Sequence, residues 1–200
     1  MKVLFATSNP AKVKRYKELL KDNGIELITL NDLDFNIDVE ETGKNAIENA
    51  HIKAKAYFEK CKIPTIGMDN SLFIENILEE EQPGTHVRRV NGKVLNDEEM
   101  IEHYTNLVKK YGDKLVAKWV YGMVIYTEDG VYEYSWNKSD FYFVDTPCKL
   151  RNPGYPLDSI AIVPEYNKYL VELTEADKQK TERTNATEKV IEFITNTVKK

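Results

Sequence analysis

Apolar positions along the chain follow two periods. Val3-Leu-Phe-Ala-Thr7 is an apolar run of strand length. Beyond Ser8-Asn9-Pro10, the residues Val13, Tyr16, Leu19 and Leu20 recur at helical spacing on one stripe. Asn9 can cap that helix and Pro10 can fill its first turn, where a missing N–H costs nothing. Gly24 closes the helix, and Ile25 to Leu30 reads as a second strand. This strand, helix, strand order predicts an α/β layer.

A second helix is predicted from Asn45 to about Lys60. Its alanines 46, 50 and 54 allow close packing on a sheet, and Asn45, Asn49 and Lys53 form a polar row on the adjacent face. Thr65-Ile-Gly-Met68 reads as a short strand with Asp69 at its carboxyl end, where open α/β sheets bind ligands. Asp97 to Tyr111 is predicted helical, with Met100, Ile101, Tyr104, Leu107, Val108 and Tyr111 inward. Leu115 to Tyr126 is a long strand, and Asp129-Gly130 signals a hairpin. Val131 to Trp136 returns, while Phe141 to Val144 and Ser159 to Val163 read as two further strands. A last helix begins near Thr174 and presents Val190, Ile191, Ile194 and Val198. There is no internal repeat and no linker, so residues 1–200 are read as one domain, with the middle strands as a smaller lobe.

Charge narrows the partners. Acidic residues outnumber basic ones, 33 to 28, for a net charge of -5. No dense cationic stripe is present, so no broad nucleic-acid footprint is expected. A few lysines and arginines focused in one cleft can still hold a nucleotide. No apolar run approaches the roughly 18 residues of a membrane span, and Val3 to Ala6 is too short for a signal peptide. The expected location is the cytoplasm. Cys61 and Cys148 have neither metal-ligand spacing nor a redox pattern, and are expected as buried, inert thiols.

Several polar groups carry candidate chemistry. Thr7-Ser-Asn-Pro-Ala-Lys12 joins a strand to a helix N-terminus, which suits phosphate contact or simple capping. Glu41, before the second helix, can ligate a divalent cation or, with Glu40, complement the helix dipole. Lys53, beside small alanines, can reach into a cleft or remain solvated. Asp69 can hold a metal or deprotonate water, or it can begin an Asx turn with Asn70 and Ser71. One of Arg88 and Arg89 can meet a phosphate or a base while the other is solvated. His51 and His86 are read as surface or packing residues.

Taken together, four stretches resemble the Ham1/RdgB-like family of inosine/xanthosine triphosphate pyrophosphatases. They are Phe5-Ala-Thr-Ser-Asn-Pro-Ala-Lys12, Glu41-Thr-Gly-Lys-Asn-Ala-Ile-Glu-Asn-Ala-His-Ile-Lys-Ala54, Gly67-Met-Asp-Asn-Ser-Leu72 and Tyr166-Asn-Lys-Tyr-Leu-Val-Glu-Leu-Thr-Glu-Ala-Asp-Lys178. Pro83-Gly-Thr-His-Val-Arg-Arg89 fits the segment after the acidic motif. The resemblance implies an elongated α/β fold with a central mixed sheet flanked by helices, a cleft between two lobes, and a homodimer. It implies hydrolysis of noncanonical purine nucleoside triphosphates (ITP, XTP, dITP) to monophosphate and pyrophosphate, with Mg²⁺ or Mn²⁺. By the same resemblance, Glu41 and Asp69 hold metal and water, with Asp69 the general base. Lys53 acts at the phosphates, and Thr7, Asn9 and Lys12 contact the triphosphate. Ser71, Arg89, Lys178 and Arg183 bind substrate, while Tyr155 and Asp158 serve the base or ribose.

The chain departs from the family pattern at several places. Met68 stands where the family has a first aspartate, and Arg15 where it has a glutamate. The late Ser-His-Arg motif reads Thr181-Glu182-Arg183. The base-pocket segment reads Asn152-Pro-Gly-Tyr-Pro-Leu-Asp-Ser-Ile160. Met68 and the lost histidine motivate a second reading, a nucleotide-binding homodimer with little or no catalysis and a regulatory or interaction role.

Overall fold

The computed structural model describes residues 1–174, 176–177 and 182–199, with the side chains of 182–185 outside the description. The strands are β1 (Lys2–Phe5), β2 (Glu26–Ile28), β3 (Thr65–Ile74), β4 (Arg89–Val90), β5 (Lys93–Val94), β6 (Lys114–Thr127), β7 (Gly130–Val144), β8 (Ala161–Val163) and β9 (Lys168–Tyr169). The helices are α1 (Pro10–Asp22), α2 (Ala46–Cys61), α3 (Asp97–Tyr111) and α4 (Glu182–Val198). Seven strands form one sheet in the order β2-β1-β3-β6-β7-β8-β9, and β4 pairs with β5. β1 runs parallel to β2 and β3, whereas β7, β8 and β9 are antiparallel neighbours. The fold is therefore α/β, with a mixed sheet flanked by helices. No helix among the described residues is long and apolar enough to cross a membrane.

The chain divides into two compact units, the first comprising Met1–Asn70, Tyr121–Trp136 and Asn185–Lys200, the second Ser71–Val120 and Asn137–Thr184. In the first unit the pleat of β1 sorts its side chains onto two faces. Val3 and Phe5 pack with Tyr16 and Leu20 of α1 and with Val190, Ile191, Ile194 and Val198 of α4. Leu4 and Ala6 pack with Tyr57 of α2 and the segment from Ile28 to Val39. Asn9 caps α1, its Oδ1 accepting the N–H groups of Ala11 and Lys12 at 2.9 and 3.3 Å. The helix ends as expected at Gly24, whose φ of +71° few other residues adopt readily. Leu19 does not share the inward stripe; it is exposed, because Tyr16 and Leu20, four residues apart, already define the buried line.

The alanine row of α2 lies against the sheet as expected. A Cβ on Gly67 of β3 would fall 2.0 Å from the Ala50 carbonyl oxygen and 2.9 Å from the Ala54 nitrogen. A Cβ on Gly122 of β6 would fall 2.6 Å from the Ile47 nitrogen. Two strand glycines and three helix alanines thus bring backbone to backbone. On the same helix, His51 Nε2 lies 2.7 Å from Glu133 Oε1 and Nδ1 lies 3.2 Å from the Tyr126 hydroxyl. His51 ties α2 to the β6–β7 hairpin.

In the second unit α3 packs Met100, Ile101, Tyr104, Leu107 and Val108 onto Leu72 and Ile74 of β3, Leu115 and Ala117 of β6, and Phe141 and Phe143 of β7. Asn96 and Glu99 cap α3 reciprocally.

Several strand limits differ from expectation. β3 does not stop at Met68; it continues through Asp69 to Ile74. Its polar residues 69–71 resemble a turn in sequence, but Leu72 and Ile74 resume the phase of Ile66 and Met68. β7 is one strand of 15 residues rather than two. Its inward positions are even up to Lys138 and odd from Phe141 onward, so periodicity alone breaks it. β2 ends at Ile28, with Leu30 in a 3-10 turn. Ser159 also lies in a 3-10 turn, ahead of β8. Cys61 and Cys148 are free thiols but only half-buried, correcting the expectation of buried ones. Thr174 and Asp177 make reciprocal capping contacts where the last helix was expected to begin.

Candidate functional site

The register of β1 on β3 sets the position of Asp69. Phe5, the last residue of β1, pairs with Ile66, so Asp69 lies three residues beyond the carboxyl end of β1. It is mid-strand in β3 yet clears its parallel neighbour. Gly67 faces α2 from the same side of the pleat, and Asp69 also faces α2. Met68 points the other way, into the apolar cluster of Phe5, Ile66, Met123 and Ile125.

Opposite Asp69, the polar row of α2 divides its labour. Asn45 is spent on the helix cap, accepting the Glu48 N–H at 2.9 Å. Asn49 and Lys53, one turn apart, reach the carboxylate. Asn49 Nδ2 donates to Asp69 Oδ2 at 3.0 Å, and Lys53 Nζ lies 3.2 Å from Asp69 Oδ1. The same ammonium lies 3.4 Å from Glu41 Oε2. The Lys53 and Asp69 side chains are only 13% and 12% exposed, whereas Glu41 is 37% exposed. A shielded lysine paired with a shielded carboxylate is electrostatically stiff, while Glu41 borders solvent.

The phosphate-loop candidates lie in the same unit. Thr7 Oγ1 accepts the Asn9 N–H at 3.2 Å, and the Asn9 side chain is committed to the cap of α1. Lys12 is pushed down from 10.5 to about 8, first by burial of its ammonium and then by the charge of Lys53; Asp69 and Glu41 oppose the shift. Lys12, Lys53, Glu41 and Asp69 therefore share one electrostatic site. Two cations are set against two carboxylates there, and one of the cations is held at a low pKa, the kind of perturbation that clusters at functional sites.

Glu41 and Asp69 are the hard oxygen donors that converge. Among the described residues no group of three His, Cys, Asp or Glu side chains could hold a metal ion by itself. Two carboxylates fit Mg²⁺ when phosphate oxygens and water complete its shell.

The other described candidates belong to the second unit. Ser71 is buried, and its hydroxyl has no hydrogen-bond partner among the described residues. Arg88 is structural, bonded to Asp97 at 2.8 Å and to the Leu95 carbonyl at 3.0 Å. Arg89 is the exposed one of the pair. Tyr155 precedes the 3-10 turn Pro156–Ser159, and Asp158 accepts from Asn152 Nδ2 at 2.8 Å. Asp97 anchors this loop as well, accepting the Gly154 N–H at 3.0 Å. Lys178 and Thr181 lie outside the described residues. Arg183 lies in α4, its side chain outside the description. Arg15 donates to Thr187 Oγ1 at 3.0 Å, a contact between α1 and α4.

Asn49 is read from the sequence only as part of the polar row, with no site role. It is buried, and its Oδ1 accepts the Gly43 N–H at 2.7 Å. The signal was its place on the polar row, one turn before Lys53 and beside the alanines that pack on the sheet.

Fold and site together define an α/β protein in which two lysines and two carboxylates meet in one site. The profile of the Ham1 family matches residues 3–193. The chain belongs to the Ham1 family. A dITP/XTP pyrophosphatase of Aquifex aeolicus (strain VF5) is 29% identical over 207 residues, covering 98% of this chain and 98% of its own. One from Thermoanaerobacter pseudethanolicus is 30% identical over 198 residues, covering 97% and 96%. The Staphylococcus aureus Ham1 protein superposes with a TM-score of 0.75 at 24% identity, covering 97% of this chain and 98% of its own, a likeness of fold.

Proposed function

We propose that this protein hydrolyses noncanonical purine nucleoside triphosphates, of the ITP, XTP and dITP kind, to the monophosphate and pyrophosphate. The observation that carries the proposal is the convergence of Glu41, Lys53 and Asp69, with Lys12 in the same field, in a chain related over nearly its whole length to proteins named dITP/XTP pyrophosphatases.

In this reading Lys12 and Lys53 bind the triphosphate, joined by the polar groups of Thr7 and Asn9. Asp69 accepts a proton from water as the water oxygen bonds the α-phosphorus. The bond from the α-phosphorus to the α–β bridging oxygen breaks, and pyrophosphate leaves. Lys12 and Lys53 offset the charge that grows on it. Glu41 and Asp69 would hold Mg²⁺ or Mn²⁺, which polarises phosphoryl oxygens and neutralises charge when bound. Ser71, Arg89, Tyr155, Asp158, Lys178 and Arg183 are assigned to the substrate by motif position. Homodimerisation belongs to the same reading, and sedimentation velocity tests it.

Purified protein incubated with ITP, XTP, dITP and the standard triphosphates, with Mg²⁺ or Mn²⁺ and with chelator, tests the function. Monophosphate and pyrophosphate from ITP or XTP are the expected products. Folded protein that binds these nucleotides but yields no metal-dependent product would favour the nucleotide-binding homodimer. Met68, one motive for that second reading, faces the apolar core rather than the carboxylates.

A further inference from the structure

The hydrogen bonds around Asn49 run in a forced direction. The Gly43 N–H can only donate, so the Asn49 atom 2.7 Å away must be the amide oxygen. That fixes the amide orientation and turns Nδ2, which can only donate, toward Asp69 Oδ2 at 3.0 Å. Lys53 approaches the other oxygen at 3.2 Å but is shared with Glu41. Among the described residues, Asn49 is thus the one donor given to Asp69 alone. A buried amide with both ends engaged is costly to disturb.

The other end of the amide holds the loop that carries Glu41. Gly43 must lack a side chain, since a Cβ would lie 2.6 Å from Asn49 Oδ1, 2.7 Å from the Asn49 nitrogen and 2.7 Å from Glu48 Cβ. The requirement is one of space. The next residues are fastened independently, since Glu48 accepts the Lys44 N–H and the Asn45 side-chain amide, each at 2.8 Å. The start of α2 therefore does not depend on Asn49.

We propose that Asn49 is a positioning residue: its amide ties the Glu41-Thr42-Gly43 loop to Asp69 and so sets the spacing of the two carboxylates used in catalysis. The role in turnover rests on the pyrophosphohydrolase reading; the tie itself does not.

Asn49→Asp separates the two bonds. It keeps an acceptor for Gly43 and replaces the amide donor to Asp69 with a second carboxyl group, so its loss includes like-charge repulsion, which Asn49→Ala lacks. Asn49→Ala removes both, and Gly43→Ala displaces the amide without touching Asp69. With ITP at saturating Mg²⁺, kcat is expected to fall about 10- to 100-fold in each variant, while KM changes little because Lys12 and the first loop are intact. Gly43→Ala combined with Asn49→Asp should be no worse than the poorer single variant, since both break one relay. Additive losses, an unchanged kcat, or KM and melting temperature worsening in step with kcat would overturn the proposal.

Amide hydrogen exchange at Gly43, read by NMR without substrate, tests the tie apart from turnover. It should be slow in the parent and fast in Asn49→Ala. Equal exchange in both would end the proposal even if the parent hydrolyses ITP. Slow exchange in a parent that hydrolyses no triphosphate would keep the tie and reject the pyrophosphohydrolase reading together with the catalytic role. If Asn49→Asp does not fold, Gly43→Ala and Asn49→Ala decide.

Discussion

Met68 and Asp69 are consecutive in β3, and their side chains leave the strand on opposite faces. Met68 packs among Phe5, Ile66 and Met123, while Asp69 meets Asn49 and Lys53 of α2. Position 68 thus belongs to the core of this chain, and position 69 to the polar contact with α2. Met68→Leu, a swap of similar volume, should cost less than about 1.5 kcal/mol. Met68→Ala should cost about 2–5 kcal/mol. Met68→Asp, which restores the family residue, should be worse still, since it buries a carboxylate among apolar side chains. Urea titration measures all three. A Met68→Asp protein as stable as its parent would show that this core accepts a charge.

Asp69→Asn should remove the base while nearly preserving shape. A fall in kcat of about 10²- to 10⁴-fold is expected for loss of general base catalysis. Single-turnover product formation measures it, and full turnover in Asp69→Asn would remove the general-base assignment.

Lys12 predicts two pH effects of opposite sign. Its folded pKa is about 8 against an ordinary 10.5. Free protein loses this charge above about pH 8, so nucleotide KM should rise there. Lys12→Arg stays charged, and its KM should be flat across the same range. For stability, the unfolded chain binds more protons at this site between about 8 and 10.5, so the contribution of Lys12 grows with pH across that window. It is lost as pH falls through about 8. The difference between parent and Lys12→Met in chemical denaturation, followed from pH 7 upward, isolates it.

Asp97 grips both Arg88 and the Gly154 N–H. Asp97→Ala frees the loop that holds Tyr155 and Asp158. If those residues meet the base, discrimination between ITP and ATP should weaken with little loss of kcat at saturation. Steady-state kinetics on both nucleotides check this.

Much of this arrangement was legible in the sequence because local rules and burial agree there. The cap at Asn9, the alanine row of α2 and the apolar faces of α3 and α4 follow from spacing alone. Glu41, Lys53 and Asp69 were legible as residue types, and the structure brings them together. The strand through Asp69 was not, since Asp-Asn-Ser reads as a turn unless a facing helix supplies partners. The continuity of β7 was hidden by its change of inward phase after Lys138. Asn91-Gly92, the turn between β4 and β5, carried a hairpin signal that went unread; both residues have positive φ. Asn49 escaped because asparagine is common at caps and turns, and only its buried partners single it out.

The contact of Gly67 with Ala50 admits no side chain, so backbone meets backbone where the first half of β3 crosses α2. Asp69 rides on one side of that contact, and Asn49 and Lys53 on the other. Together they form one jaw. Glu41 is the facing jaw, two residues from its pin at Gly43 and more open to solvent than its partners. A two-residue tether reaches at most about 7 Å. In the pyrophosphohydrolase reading, the gape between the two acidic groups would be set by that short leash.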